Sequence, residues 1–137
     1  SMLGPRGRVL GRDVREPSLV KARTKGVPQG CSFKLSAYDD VRIQPQSLDK
    51  AYMTQVWGTV ETQPTRVPFL KSIWHALKPG AELLIVQYPN SKSDSKAFTK
   101  NLDAATQAAG FEPGRRWQLW DPGSNRGPSW LFEFRRP

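Results

Sequence analysis

The stretch HALKPGAELLIV, from His75 to Val86, constrains the fold more than any other twelve residues of the chain. A helical pattern runs out, Lys78-Pro79-Gly80 breaks it, and an apolar run with no polar side follows at once. Proline cannot continue the helical hydrogen-bond ladder, and glycine accepts the backbone geometry needed after a last turn. A strand that is apolar on both faces must be covered on both. That predicts the interior of a parallel sheet flanked by helices.

The neighbouring segments supply the layers. Upstream, Val67, Leu70, Ile73, Trp74 and Leu77 recur at helical spacing and form one apolar stripe. Downstream, Ser93 or Asp94 is placed to cap a helix over Ser95–Ala109, with Phe98, Leu102, Ala105 and Ala109 on one face and Gly110 ending it. Three further strands are expected before the first of these helices: Gly7–Val14, then the alternating Cys31, Phe33 and Leu35, then Leu48–Gly58. A short helix, Ser18–Lys25, should join the first two. At the end, RRWQLWD and SWLFEFRR flank PGSNRGP, a segment dense in turn formers, which predicts an antiparallel hairpin. Alternating strands and helices joined by right-handed crossovers give an α/β fold, a mostly parallel sheet with helices on both faces and an antiparallel C-terminal edge.

The length of 137 residues suits one domain, expected over residues 2–137, with Ser1 taken as the remnant of a tag. No apolar run is long enough to span a membrane. Cys31 is the only cysteine, so neither an intrachain disulfide nor a cysteine-built zinc or iron–sulfur site can come from this sequence alone. A reducing, cytoplasmic setting is expected. The formal charge of +9, from 21 Lys and Arg against 12 Asp and Glu, favours acidic partners. Without a nucleic-acid-binding motif, a basic nucleic-acid module ranks third among the functions considered.

The block LDKAYMTQVWG, the segment RVPFLKSIWHALKPGAELLIVQYP, a helix closing on AAGFEP and the aromatic hairpin resemble the second half of a class I S-adenosylmethionine-dependent methyltransferase, over about Leu48 to Phe134. In that family a helix closing on LKPGG or LRPGG runs into LLIV; here Gly80-Ala81 stands where the family has two glycines. The resemblance implies a Rossmann-like, methyltransferase-type fold. Cofactor-binding members carry a Gly-rich loop directly after their first strand, because the backbone must come close to the nucleoside. Here Arg12, Asp13, Val14, Arg15 and Glu16 fill that place, so the N-terminus is atypical. Either the sequence begins inside a methyltransferase, with RVLGRDV as its second strand and Asp13 holding ribose hydroxyls, or the domain is whole and has dispensed with the cofactor. Met2 and the compact set of elements favour the second. Its layout resembles the N-terminal domain of the anamorsin family of cytosolic iron–sulfur assembly factors. That resemblance implies a non-catalytic domain that works by protein contact, a diflavin reductase as partner, no cofactor in this domain, and iron–sulfur clusters only beyond Pro137. The alternative is an S-adenosylmethionine-dependent methyltransferase, active or truncated.

Under that alternative the cofactor-binding candidates are Asp13, Asp39 and Trp57. Asp13 would meet the ribose, Asp39 beside Asp40 the adenine amino group, and Trp57 would stack or form a lid at the carboxyl edge of the sheet. Each has a plainer alternative: a surface carboxylate beside Arg12 and Arg15, a solvated turn, and a core or contact aromatic. No catalytic residue and no metal ligand is expected. His75, the only histidine, has no imidazole partner and reads as a helix-end residue, and Cys31 as a small buried hydrophobe. Glu61 lies in a loop that lacks the Asn/Asp-Pro-Pro-Tyr type of sequence used to orient an amine. Trp117, Trp120 and Trp130 read as core. Arg115, Arg116, Arg126, Arg135 and Arg136 frame the hairpin and are the candidate basic rim for a protein partner; a solvated edge that discourages strand-to-strand aggregation is the bland alternative.

Overall fold

A computed structural model describes residues 9–13, 24, 31–35, 43–54, 64–87, 95–119 and 129–137. The expected helix at 18–25, the loop holding Asp39 and Asp40, Trp57, Glu61, Trp120 and Arg126 lie outside the described residues, Thr24 excepted. The strands are β1 (Val9–Asp13), β2 (Cys31–Leu35), β3 (Leu48–Thr54), β4 (Leu77–Gln87), β5 (Glu112–Leu119) and β6 (Ser129–Arg135), with helices α1 (Arg66–Ala76) and α2 (Ser95–Ala108).

Two sheets result. β1 and β2 pair in parallel, Val9 against Cys31 through Asp13 against Leu35. The other sheet has the order β3-β4-β6-β5, with β3 parallel to β4 and both remaining pairings antiparallel. The expectation of a mostly parallel sheet is therefore corrected. The hairpin strand β6 inserts directly beside β4 and does not merely trim an edge, so the four-stranded sheet is mixed.

The pleat assigns every cross-strand row to a face. Met53, Leu83, Ile85, Phe132 and Phe134 point to one side, where they form a single core with Leu70 and Ile73 of α1, Leu102 and Ala105 of α2, and Ala109 and Phe111 beyond it. Both α1 and α2 thus cover the same face; the helix expected over 18–25 lies, but for Thr24, outside the described residues. Burying each of these large side chains stabilises the fold by about 1.5–3 kcal/mol. Lys50, Tyr52, Glu82, Leu84, Val86, Leu131, Glu133 and Arg135 point to the other face. There Tyr52 is 68% exposed, and Leu84, Val86 and Leu131 are half-buried. Among the described residues, the apolar run of β4 is packed by helices on one side only. Trp117 lies in the row of Leu131 and is 37% exposed, which removes it from the expected core, whereas Trp130 packs partly buried against it.

α1 ends one residue earlier than its stripe suggests. Leu77 is already extended (φ −75°, ψ 144°) and opens β4, yet it remains fully buried. Pro79 and Gly80 lie inside β4 as assigned, with Gly80 at φ +83° and its N–H donating to the Arg136 carbonyl at 2.7 Å. α2 closes on a Schellman turn: Phe111 N–H donates to Thr106, and Gly110 N–H to Gln107. Gly110 has φ +101°, and its carbonyl accepts from Trp74 Nε1 at 3.2 Å, which ties the end of α2 to α1.

Candidate functional site

In open α/β sheets, ligands bind outside the carboxyl ends of parallel strands. Here those ends are Asp13 of β1, Leu35 of β2, Thr54 of β3 and Gln87 of β4. The backbone of Asp13 closes β1 opposite Leu35, so this acid does stand at a strand's carboxyl end. Its side chain, Asp39 and Trp57 lie outside the described residues, and the three cannot be brought together on the structure. Among the described residues no ladder hydrogen bond joins β1 or β2 to β3, and β3 is bonded to β4 alone.

The fold's usual floor is a loop leaving a central parallel strand flanked on both sides. β1 has one described neighbour, and a charged segment follows it. The described residues do not assemble that floor. A hollow of about 140 Å³ lies at the other end of the sheet, lined by Glu82, Glu112, Gly114, Glu133 and Arg135. It falls below the ~300–1,000 Å³ of small-molecule sites. Among the described residues no group of His, Cys, Asp and Glu is arranged to hold a metal ion, and no helix is long and apolar enough to cross a membrane.

The four described arginines of the hairpin do not form one rim. Arg136 is 8% exposed and turns into the molecule. Its Nη1 donates to the carbonyls of Trp74 (3.0 Å) and Leu77, and its guanidinium lies 3.7 Å from the centre of the Trp74 ring. Carbonyls at a helix C-terminus carry the negative end of the helix dipole and have no partner within the helix, so a cation there is favoured. Arg136 is therefore the C-terminal cap of α1, a role with no signal in the sequence beyond a basic residue near the chain's end. Arg116 also faces the helices, forming a two-pronged pair with Asp103 of α2 and lying 5.4 Å over Phe132. Arg115 and Arg135 face the opposite side, where Arg115 pairs with Glu133 at 3.4 Å and lies over Trp117, and Arg135 reaches Glu82 at 3.8 Å. Of the described four, only these two side chains are exposed. His75 is exposed in the last turn of α1, its ring edge-on to Trp74.

No known family and no curated protein matches the sequence. Solved structures do match the fold. A methyltransferase from Methanosarcina mazei, dependent on S-adenosylmethionine, superposes with a TM-score of 0.75 at 17% identity, over 94% of this chain and 82% of its own. One from Mesorhizobium loti gives 0.71 at 16% identity, over 95% and 81%. The cyclase SpnF gives 0.69 at 14% identity, over 96% and 67%. These likenesses establish the fold and not the chemistry, since a protein named for cyclisation shares it. The chain has the α/β fold of the class I S-adenosylmethionine-dependent methyltransferases.

Proposed function

We propose that this chain is a methyltransferase-fold domain that does not by itself hold S-adenosylmethionine and that works by binding protein. The observation that carries the proposal is the break between β1 and β3. In a doubly wound sheet of order 3-2-1-4, the strand that precedes the cofactor loop stands between the second and fourth strands. β1 and β2, bonded to each other and not to β3, match the second and third places, and β3 matches the fourth. The place from which the cofactor loop springs is then the one not filled by the described strands.

Calorimetric titration of the 137-residue chain with S-adenosylmethionine and S-adenosylhomocysteine tests this. The proposal expects no saturable heat; binding in the micromolar range would defeat it. An anamorsin-type role is the narrower form of the proposal, with a cytoplasmic setting, a diflavin reductase as partner and iron–sulfur clusters on residues outside this sequence. Co-sedimentation with such a reductase would support that form, and its failure would leave the broader one standing.

A second proposal is favoured by the position of Asp13 at the carboxyl end of β1. In the second place of such a sheet, an acid is set to accept from ribose hydroxyls. The chain would then belong to an S-adenosylmethionine-dependent methyltransferase, with Asp13, and beyond the described residues Asp39 and Trp57, contributing to a pocket floored by other polypeptide. The same titration separates the two. A nucleic-acid role, suggested by charge alone, would appear as steep loss of duplex or single-strand binding with rising salt.

A further inference from the structure

The sheet face not covered by α1 and α2 carries a charge pattern that fits a second copy of itself. One row runs directly across all four strands: Lys50 on β3, Glu82 on β4, Arg135 on β6 and Glu112 on β5. Its charges alternate from edge to edge, and neighbours within the row pair, Lys50 with Glu82 at 4.0 Å and Arg135 with Glu82 at 3.8 Å. Beyond that row, on the same face, lie Tyr52, Leu84, Val86, Leu131 and Trp117, with Tyr52 and Trp117 exposed. Among the described residues no helix lies over this apolar-and-charged face, the kind of surface that sheets bury against another layer.

We infer that this face is a two-fold interface between copies of the chain. Consider a two-fold axis in the plane of the interface, parallel to the strands and passing between β4 and β6. It keeps each row at its height and reverses the order of the strands. Lys50 then meets Glu112 of the second copy and Glu82 meets Arg135, so all four contacts of the row join opposite charges. The same operation sets Tyr52 against Arg115, whose guanidinium can lie on the ring, brings Leu131 over Val86, and sets Leu84 over Glu133, whose carboxylate is paired with Arg115 of its own copy. Such a contact is isologous and closes, so it stops at two copies. A row of like charges, or an alternation over an odd number of strands, would lack this property.

The size of the face sets the strength expected. Four strands about 4.8 Å apart and roughly seven residues long at ~3.3 Å each cover about 400 Å² per copy. That is half the ~800 Å² per partner of a standard interface, so a weak dimer, forming near ~100 µM, is the expectation. The net charge of +9 opposes association at long range, but the Debye length of about 8 Å at ~0.15 M salt confines that repulsion, while the contacts within the row act at closer range.

The test is sedimentation velocity on the 137-residue chain from about 10 µM to 1 mM at physiological ionic strength, with two charge reversals. Glu82→Arg alone sets the introduced guanidinium against Arg135 of the second copy, twice in each dimer. Arg135→Glu alone likewise sets the introduced carboxylate against Glu82 twice. Each single variant should weaken self-association at least tenfold, and an equimolar mixture of the two should restore it to within threefold of the unaltered chain, since both of these contacts in the mixed dimer are again opposite in charge. Circular dichroism confirms that each variant is folded. Should either reversal unfold the chain, Tyr52→Ala replaces it, because that side chain is 68% exposed and its loss should weaken the dimer without unfolding the monomer. A chain that stays monomeric to 1 mM, self-association indifferent to the substitutions, or a mixture without recovery would each overturn the inference.

Discussion

Replacing Arg136 by alanine is the substitution with the largest expected effect away from the apolar core. Hydrogen bonds from a charged donor contribute about 1.5–3 kcal/mol each, and Arg136 makes such bonds to the carbonyls of Trp74 and Leu77. Stacking on the Trp74 ring adds about 1 kcal/mol. Against this stands the cost of burying a guanidinium without a carboxylate and with its Nε unpartnered, a penalty of several kcal/mol that alanine relieves. Alanine also leaves carbonyls of the α1 terminus buried without their donor. The balance is a net loss of about 2–3 kcal/mol, and for a chain of this size a fall in Tm of roughly 8–12 °C. Arg136→Met keeps the aliphatic stem and should lose about 1 kcal/mol less. Urea unfolding followed by circular dichroism and by the summed fluorescence of the five tryptophans measures both. A loss below about 0.5 kcal/mol for alanine would mean that desolvation cancels the bonds, and would refute the assignment of Arg136 as a stabilising cap.

Two other outcomes can be checked in the same assay. Gly110→Ala should cost about 1–2 kcal/mol, because Gly110 has φ +101° and a Cβ there would sit 3.2 Å from Trp74 Nε1; an unchanged midpoint would show that the turn relaxes. Arg116→Ala should cost under ~1 kcal/mol despite its two-pronged pairing with Asp103, because both side chains remain partly in water, and a larger loss would mean that its contact with Phe132 dominates.

Much of the chain's organisation is legible in its sequence, and the reasons differ by element. The helical stripe through Leu70 and Ile73 and the end of α2 at Gly110 follow from local periodicity and backbone chemistry, which act over a few residues, whereas α1 stops at Ala76, before Pro79-Gly80 is reached. What lies on the second face of β4 cannot be read from Leu84 and Val86, because an apolar residue states a tolerance for burial without naming what covers it. The neighbouring strands held the missing signal: Lys50 and Tyr52 share a face with Leu84, and only the register reveals it. The arginines of the hairpin failed for a similar reason. Arg115 and Arg116 are adjacent, and the pleat sends them to opposite faces, one over Trp117 and the other to Asp103. Arg136 could not be recognised as a cap, since the helix it caps lies about sixty residues earlier and only the β4–β6 pairing brings them together. Asp13 stood out early, and the structure adds that it closes a parallel pair.

Nuclear magnetic resonance on the isotopically labelled chain, titrated with S-adenosylmethionine to a few millimolar, tests the central claim most directly. On the proposed reading, in which the chain does not by itself hold S-adenosylmethionine, the amide signals of Asp13, Asp39 and Trp57 should stay where they are throughout the titration. Saturable movement of those three signals together would contradict the account and would place a working cofactor site at the carboxyl ends of β1 and β3.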